Sequence, residues 1–205
     1  WRMAASYLIQ AYGHEFVDLN LPAFQIIESG KLSVITEMTA RGINSPLTSS
    51  LGRLFDGVAA ILGIRNRVSF EGQAAMQLEM LAAENVTEVY DHEWETGADA
   101  QINPAPIIRA VVSDLKAGIP PPQISANFHA TLIDLFSQVC NAVRKEFELN
   151  RVVLSGGCFQ NATLLRGLLL SLQEINFEVY AHKLVPTNDG GISLGQAVIA
   201  ANKMA

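Results

Sequence analysis

From Asn150 onward the residue order leaves few folds open. An apolar run, Val152-Val153-Leu154, passes through Ser155 into Gly156-Gly157 and then a helical pattern over about 161–174. A second apolar run covers 177–181, and a loop containing Pro186 and Gly190-Gly191 leads to a last helical pattern over about 190–202. A strand, a helix and a second strand in this order make an α/β unit whose sheet is at least partly parallel, because the helix serves as the crossover.

The preceding two-thirds follows the helical period instead. Met3, Tyr7, Leu8 and Ile9 precede Gly13, the apolar residues of 21–27 precede Gly30, and those of 32–38 precede Gly42. Each glycine is read as a helix C-cap. A polar loop, 43–50, ends in N-cap candidates, after which Leu51, Leu54, Phe55, Val58, Ile61 and Leu62 give one helix an apolar face closed by Gly63. A helix over about 72–84 follows, then alternation over 86–94 that suggests a strand or irregular hairpin. Residues 107–115 read as a helix stopping at Gly118, and Pro120-Pro121-Pro122 is expected to be a rigid linker before the longest helix, 125–147. The expected organisation is a helix-rich part over about 1–148 and an α/β nucleotide-binding part over about 149–205.

Composition removes several function classes. Fourteen Lys and Arg against 20 Asp and Glu give a net charge of -6, so general attraction to nucleic acid or anionic membranes is not expected. No apolar run approaches the roughly 20 residues that a membrane crossing needs. Two separated cysteines, Cys140 and Cys158, form no metal or disulfide framework and fit a cytoplasmic protein.

Chemistry concentrates in a few places. Gly156 and Gly157, between a strand and a helix, let backbone N–H groups approach an anion, with Asn161 at the helix start either capping it or binding a ligand. The spacing is neither the dinucleotide fingerprint nor the P-loop, and a plain tight turn is the alternative. Asp189, ahead of Gly190-Gly191, either caps the final helix or binds a cation. Asp56 borders an apolar helix face, where an unpaired carboxylate is costly, so it sits at the edge or holds a partner such as a ribose. Glu71-Gly72 reads as a helix start whose carboxylate reaches its own helix or a sugar; for both, simple surface exposure is the alternative. His14, His92, His129 and His182 show no metal-ligand spacing, and no Ser-His-Asp set can be assembled from chain order. Cys140 reads as core, and Cys158 as a residue beside a turn rather than a nucleophile.

Four ordered stretches then coincide with one family. Residues 48–59 (TSSLGRLFDGVA), 70–75 (FEGQAA), 155–161 (SGGCFQN) and 188–197 (NDGGISLGQA) resemble the HypF carbamoyltransferases, in their C-terminal, TsaD-like domain. The resemblance implies α/β architecture: the second lobe of an actin-like ATPase or sugar-kinase-type domain, helix-rich with a small mixed sheet. It further implies transfer of a carbamoyl group from ATP-derived carbamoyladenylate, itself made from carbamoyl phosphate, to the C-terminal cysteine of HypE. That group becomes the cyanide ligands of nickel-iron hydrogenase. Carried over by position, Gly52, Asp56, Glu71 and Gly72 are candidates for the ribose and adenine side. Gly156, Gly157 and Asn161 fall on the phosphate and base region, and Asp189 is a ligand of a divalent metal, iron or zinc. The family's histidine-rich metal motif, acylphosphatase, zinc-finger and YrdC-like regions have no counterpart in these residues. The expectation is therefore a C-terminal part that is inactive alone, its missing metal ligands supplied by an absent lobe. An O-carbamoyltransferase of antibiotic type, a TsaD-like tRNA-modifying partner and a non-catalytic interaction module are the alternatives.

Overall fold

A computed structural model describes residues 1–95, Gly97 and 100–204. In chain order the elements are α1 (Arg2–Tyr12), α2 (Pro22–Gln25), α3 (Ser29–Arg41), α4 (Leu51–Ile61), α5 (Gln73–Leu81), β1 (Glu93–Trp94), β2 (Ile102–Asn103), α6 (Ala105–Lys116), α7 (Pro121–Phe147), β3 (Arg151–Leu154), α8 (Ala162–Glu174), β4 (Glu178–Ala181) and α9 (Ile192–Met204). Short 3-10 turns cover Gly13–Leu19, Gly157–Gln160 and Asp189–Gly191. The chain divides into two compact units, Trp1–Thr131 and Leu132–Ala205.

In the first unit, α4 forms where the apolar face requires it. The Ser50 hydroxyl accepts the Arg53 N–H at 3.4 Å, and Leu54, Phe55 and Val58 to Ile61 are buried. Helix α1 packs against α3, α4 and α6 through Ala4, Ala5 and Leu8, all fully buried. Gly57 permits this approach, since a Cβ there would lie 2.7 Å from Cδ2 of Tyr7. Phe55 meets Phe128 of α7 edge to face, with ring centroids 5.2 Å apart.

Helix α7 also buries polar side chains on two sides, Ser125 with His129 on one and Asn127 with Thr131 on the other. Ser125, Asn127, His129 and Thr131 are all buried, and each has a partner. The Asn127 Oδ1 accepts from the N–H and hydroxyl of Thr87 and the N–H of Glu88, each at 3.3 Å, and from Gln123 Nε2 at 3.0 Å. The Thr131 hydroxyl accepts the Tyr90 N–H at 2.9 Å. Of the strand or irregular hairpin suggested over 86–94, residues 86–90 form no strand, while Glu93–Trp94 forms one side of a short antiparallel pair. The N–H groups of Thr87, Glu88 and Tyr90 bond to helix side chains, and the only antiparallel pairing beyond them is Glu93 with Asn103 and Trp94 with Ile102, among the described residues.

Two boundaries also differ from the sequence expectation. Gly30 ends no helix: α2 has only four residues, Glu28 is extended, and Gly30 lies in the first turn of α3. Pro121 and Pro122 are not a linker but the start of the 27-residue α7. The first turn of a helix has no intrahelical use for its N–H groups, so proline fits there.

The second unit contains the expected β3-α8-β4 crossover. The strands pair in parallel from Arg151 with Glu178 to Leu154 with Ala181. Leu164, Leu168 and Leu172 bury one stripe of α8, each contributing roughly 1.5–3 kcal/mol. On the part of α7 within this unit, Ile133 fills the space that a side chain at Gly167 would need, and Ser137 and Ser171 share a 2.9 Å hydrogen bond. The apolar residues Ile192, Leu194, Val198 and Ile199 of α9 are exposed. No helix is long and apolar enough to cross a membrane, among the described residues.

Candidate functional site

In the first unit, the structure places Asp56 and Glu71 close enough to interact. Asp56 is half-buried in α4 and makes no hydrogen bond or close ion pair to the described residues. Burial pushes its carboxyl above the ordinary value, Arg53 opposes this, and the like charge of Glu71 adds to the rise. Tyr7 of α1, a neighbour not foreseen from sequence, also has its phenol raised, by burial first and by Asp56 in part. Glu71 is exposed, and Gly72 is the N-cap of α5 with φ 77°, a left-handed conformation that favours glycine. Gln73 Oε1 accepts the Ser69 N–H at 2.7 Å and closes this loop onto the helix. Gly52 sits half-buried in the first turn of α4.

In the second unit, the turns after β3 and β4 are joined. The Gly156 N–H donates to Thr187 O at 2.9 Å, and the Thr187 hydroxyl donates to Gly156 O at 3.1 Å. Beside them Ser155 Oγ lies 2.9 Å from His182 Nε2. The Gly156 N–H is thus engaged within the turn pair rather than turned outward. Gly156 has φ 104°, which a side chain would strain, whereas a Cβ on Gly157 would meet nothing within 4 Å. Asn161 caps α8, its Oδ1 accepting the Leu164 N–H at 2.8 Å.

At the entry to the final helix the capping side chain is Asn188, not Asp189, which was read as either a cap or a cation ligand. The side chain of Asn188 accepts the Gly190 N–H at 3.1 Å, and Asp189 is left exposed in the 3-10 turn. Gly191 is fixed by close approach, since a Cβ there would stand 2.7 Å from the Pro186 carbonyl oxygen. A carboxylate is a suitable ligand for a divalent cation, but among the described residues no three His, Cys, Asp or Glu side chains converge. These residues do not by themselves fit a metal, and no chemical step is derived through one.

Sequence reasoning missed His182 and Thr187. A cavity of about 100 Å³ is lined by both, with Leu154, Phe159 and Leu165 among its apolar walls. It lies at the carboxyl end of the parallel strands, where open α/β sheets bind ligands. A larger cavity of about 370 Å³, around Trp1, Lys31 and Val34, includes none of the candidate residues in its lining.

The helix-rich fold with its small sheets is that of the second subdomain of a Kae1-like domain. The family model described as the second subdomain of that domain matches residues 1–196. The chain is 38% identical over its whole length to the carbamoyltransferase HypF of Rhodobacter capsulatus, covering 26% of that protein. To HypF of Rhizobium leguminosarum bv. viciae it is 36% identical, over 98% of this chain and 25% of the relative. A crystal structure of full-length HypF in the phosphate- and nucleotide-bound form superimposes with a TM-score of 0.89 and 43% identity, covering 98% of this chain and 26% of that one. The structure of HypF from T. kodakarensis, at 23% identity and a TM-score of 0.78, shares the fold. The chain belongs to the HypF carbamoyltransferase family and spans about a quarter of the length of these relatives.

Proposed function

We propose that the chain is the part of a cytoplasmic HypF-type enzyme that takes a carbamoyl group from carbamoyladenylate and transfers it to the C-terminal cysteine thiol of HypE, for cyanide-ligand synthesis. The observation that carries this reading is Asp56. A half-buried carboxylate with no hydrogen-bond partner, beside a second carboxylate, disfavours the free state, and a ribose hydroxyl pair supplies the donors it lacks. Glu71 and Gly72 are assigned to the same ribose and adenine side, with Gly52 at the start of α4.

In the second unit Gly157, where the fold makes no demand for glycine, and Asn161 are assigned to the adenylate's phosphate and base, with Gly156 shaping the turn. Asp189 is assigned as one ligand of a metal, iron or zinc, whose remaining ligands come from outside these residues. The chemistry is acyl transfer: the thiolate attacks the carbamoyl carbon, the bond to the phosphate oxygen breaks, and AMP leaves with the electron pair.

The test is calorimetric titration of the full-length protein with ATP and a non-hydrolysable carbamoyladenylate analogue. Asp56→Ala and Asn161→Asp are the variants, the second chosen because aspartate keeps the α8 cap while removing the amide donor. Affinity reduced at least tenfold in both supports the reading, and unchanged affinity in both overturns it.

A further inference from the structure

Carbamoyl transfer to a thiol requires a base, since the thiolate is the nucleophile. None of the residues assigned above to the nucleotide is a base within the second unit. We infer that His182 is the general base for the acceptor thiol, its ring positioned by Ser155; the inference rests on the carbamoyl-transfer reading.

Ser155 and His182 are 2.9 Å apart because they directly follow the last pair of the parallel ladder, Leu154 with Ala181. Both are exposed, and an exposed neutral hydrogen bond does little for folding, so the pair is not explained by packing. His182 lines the 100 Å³ cavity at the strand ends, one residue chain-length from the Gly156-Gly157 turn through Ser155. When Ser155 Oγ accepts the Nε2–H, the lone pair of the imidazole lies on Nδ1, which has no partner among the described residues. The other titratable side chains on these turns are Cys158, Lys183 and Asp189.

The step balances without a further reagent. Nδ1 takes the thiol proton, the sulfur bonds to the carbamoyl carbon, and the carbon–oxygen bond to the phosphate breaks. AMP departs with the electron pair, and the imidazolium afterwards returns its proton to water. Ser155 acts through His182 and is a positioning residue.

The experiment follows label from carbamoyladenylate to the acceptor cysteine with full-length protein, comparing wild type, His182→Gln, His182→Ala and Ser155→Ala. Removing a general base lowers turnover by about 10²-fold or more, with ATP affinity within about twofold of wild type. Imidazole added to His182→Ala restores part of the rate, and His182→Gln loses the acidic limb of the pH–rate profile. Ser155→Ala slows transfer several-fold without removing that limb. A His182→Gln enzyme with wild-type rate and pH profile overturns the inference and leaves the carbamoyl-transfer reading intact. So does loss of transfer accompanied by weakened ATP binding and no rescue. If the wild type transfers no label, the reading itself fails and the inference with it.

Discussion

Thr187 holds Gly156 at both ends of that residue, accepting its N–H through the Thr187 carbonyl at 2.9 Å and donating its hydroxyl to the Gly156 carbonyl at 3.1 Å. Two turns separated by 31 residues are thereby tied to each other, with Ser155 and His182 hydrogen-bonded beside them.

Replacing Thr187 by Val removes the hydroxyl contact and keeps the backbone one. Because the contact is exposed, unfolding stability falls by no more than about 1 kcal/mol. Hydrogen exchange at the amides of 156–158 quickens, and nucleotide affinity falls several-fold, both read on folded protein.

Gly191 and Gly157, one from each turn, separate into a structural and a functional position. Gly191→Ala places a Cβ against the Pro186 carbonyl and costs about 1–3 kcal/mol in denaturant unfolding. Gly157→Ala meets open space and leaves stability unchanged, yet obstructs the phosphate and weakens ATP binding. Equal stability loss in both variants contradicts this division.

Asn127→Ala removes one oxygen that serves three donors of residues 87–88 and a fourth from Gln123. The expected loss is about 1–2 kcal/mol, since Asn127 is buried but the Thr87 and Glu88 donors it serves are exposed and regain water. Amide exchange at Thr87 and Glu88 accelerates more than at the α8 leucines.

His129 gives the first unit an acid-sensitive core. It is buried against Phe55 and Phe128, and its Nδ1–H donates to Ser125 O at 2.7 Å. Burial lowers its pKa, with the Ser125 hydrogen bond and Glu79 opposing. The unfolded chain binds the proton more readily, so this contribution is fully present above the unfolded value of about 6.5 and is lost as pH falls through it toward the lower folded value. The urea midpoint therefore drops as pH falls below about 6.5, and His129→Gln flattens that slope.

Asp56→Asn separates stability from binding. The asparagine relieves a desolvated charge, raising stability by at most about 0.5 kcal/mol once solvent screening is counted. The same change weakens nucleotide binding, so a stability gain accompanied by a tenfold affinity loss is the expected pair of results.

Local signals in the sequence translate well into this structure. The Ser50 cap, the Gly42 and Gly118 helix ends and the β3-α8-β4 order all depend on residues within one turn or one crossover. What was not legible is non-local. The alternation over 86–94 was a sound local cue for a strand, but Asn127 and Thr131, some 40 residues on, take up the backbone donors instead. Asn127 and Thr131, four residues apart, share the side of α7 that meets residues 87–90. Pro121 and Pro122 read as a break because proline disrupts helix interiors, and the exception at a helix start decided the outcome. Ser155 and His182 become neighbours only once parallel pairing aligns the strand ends.

The most direct measurement of the central claim uses full-length protein, ATP, carbamoyl phosphate labelled in its carbonyl carbon, and an acceptor ending in cysteine. The account predicts label in a thiocarbamate on that cysteine, with one AMP released per group transferred and loss of transfer in Asp56→Ala. Label that never reaches the cysteine, or reaches it equally fast in Asp56→Ala, contradicts it.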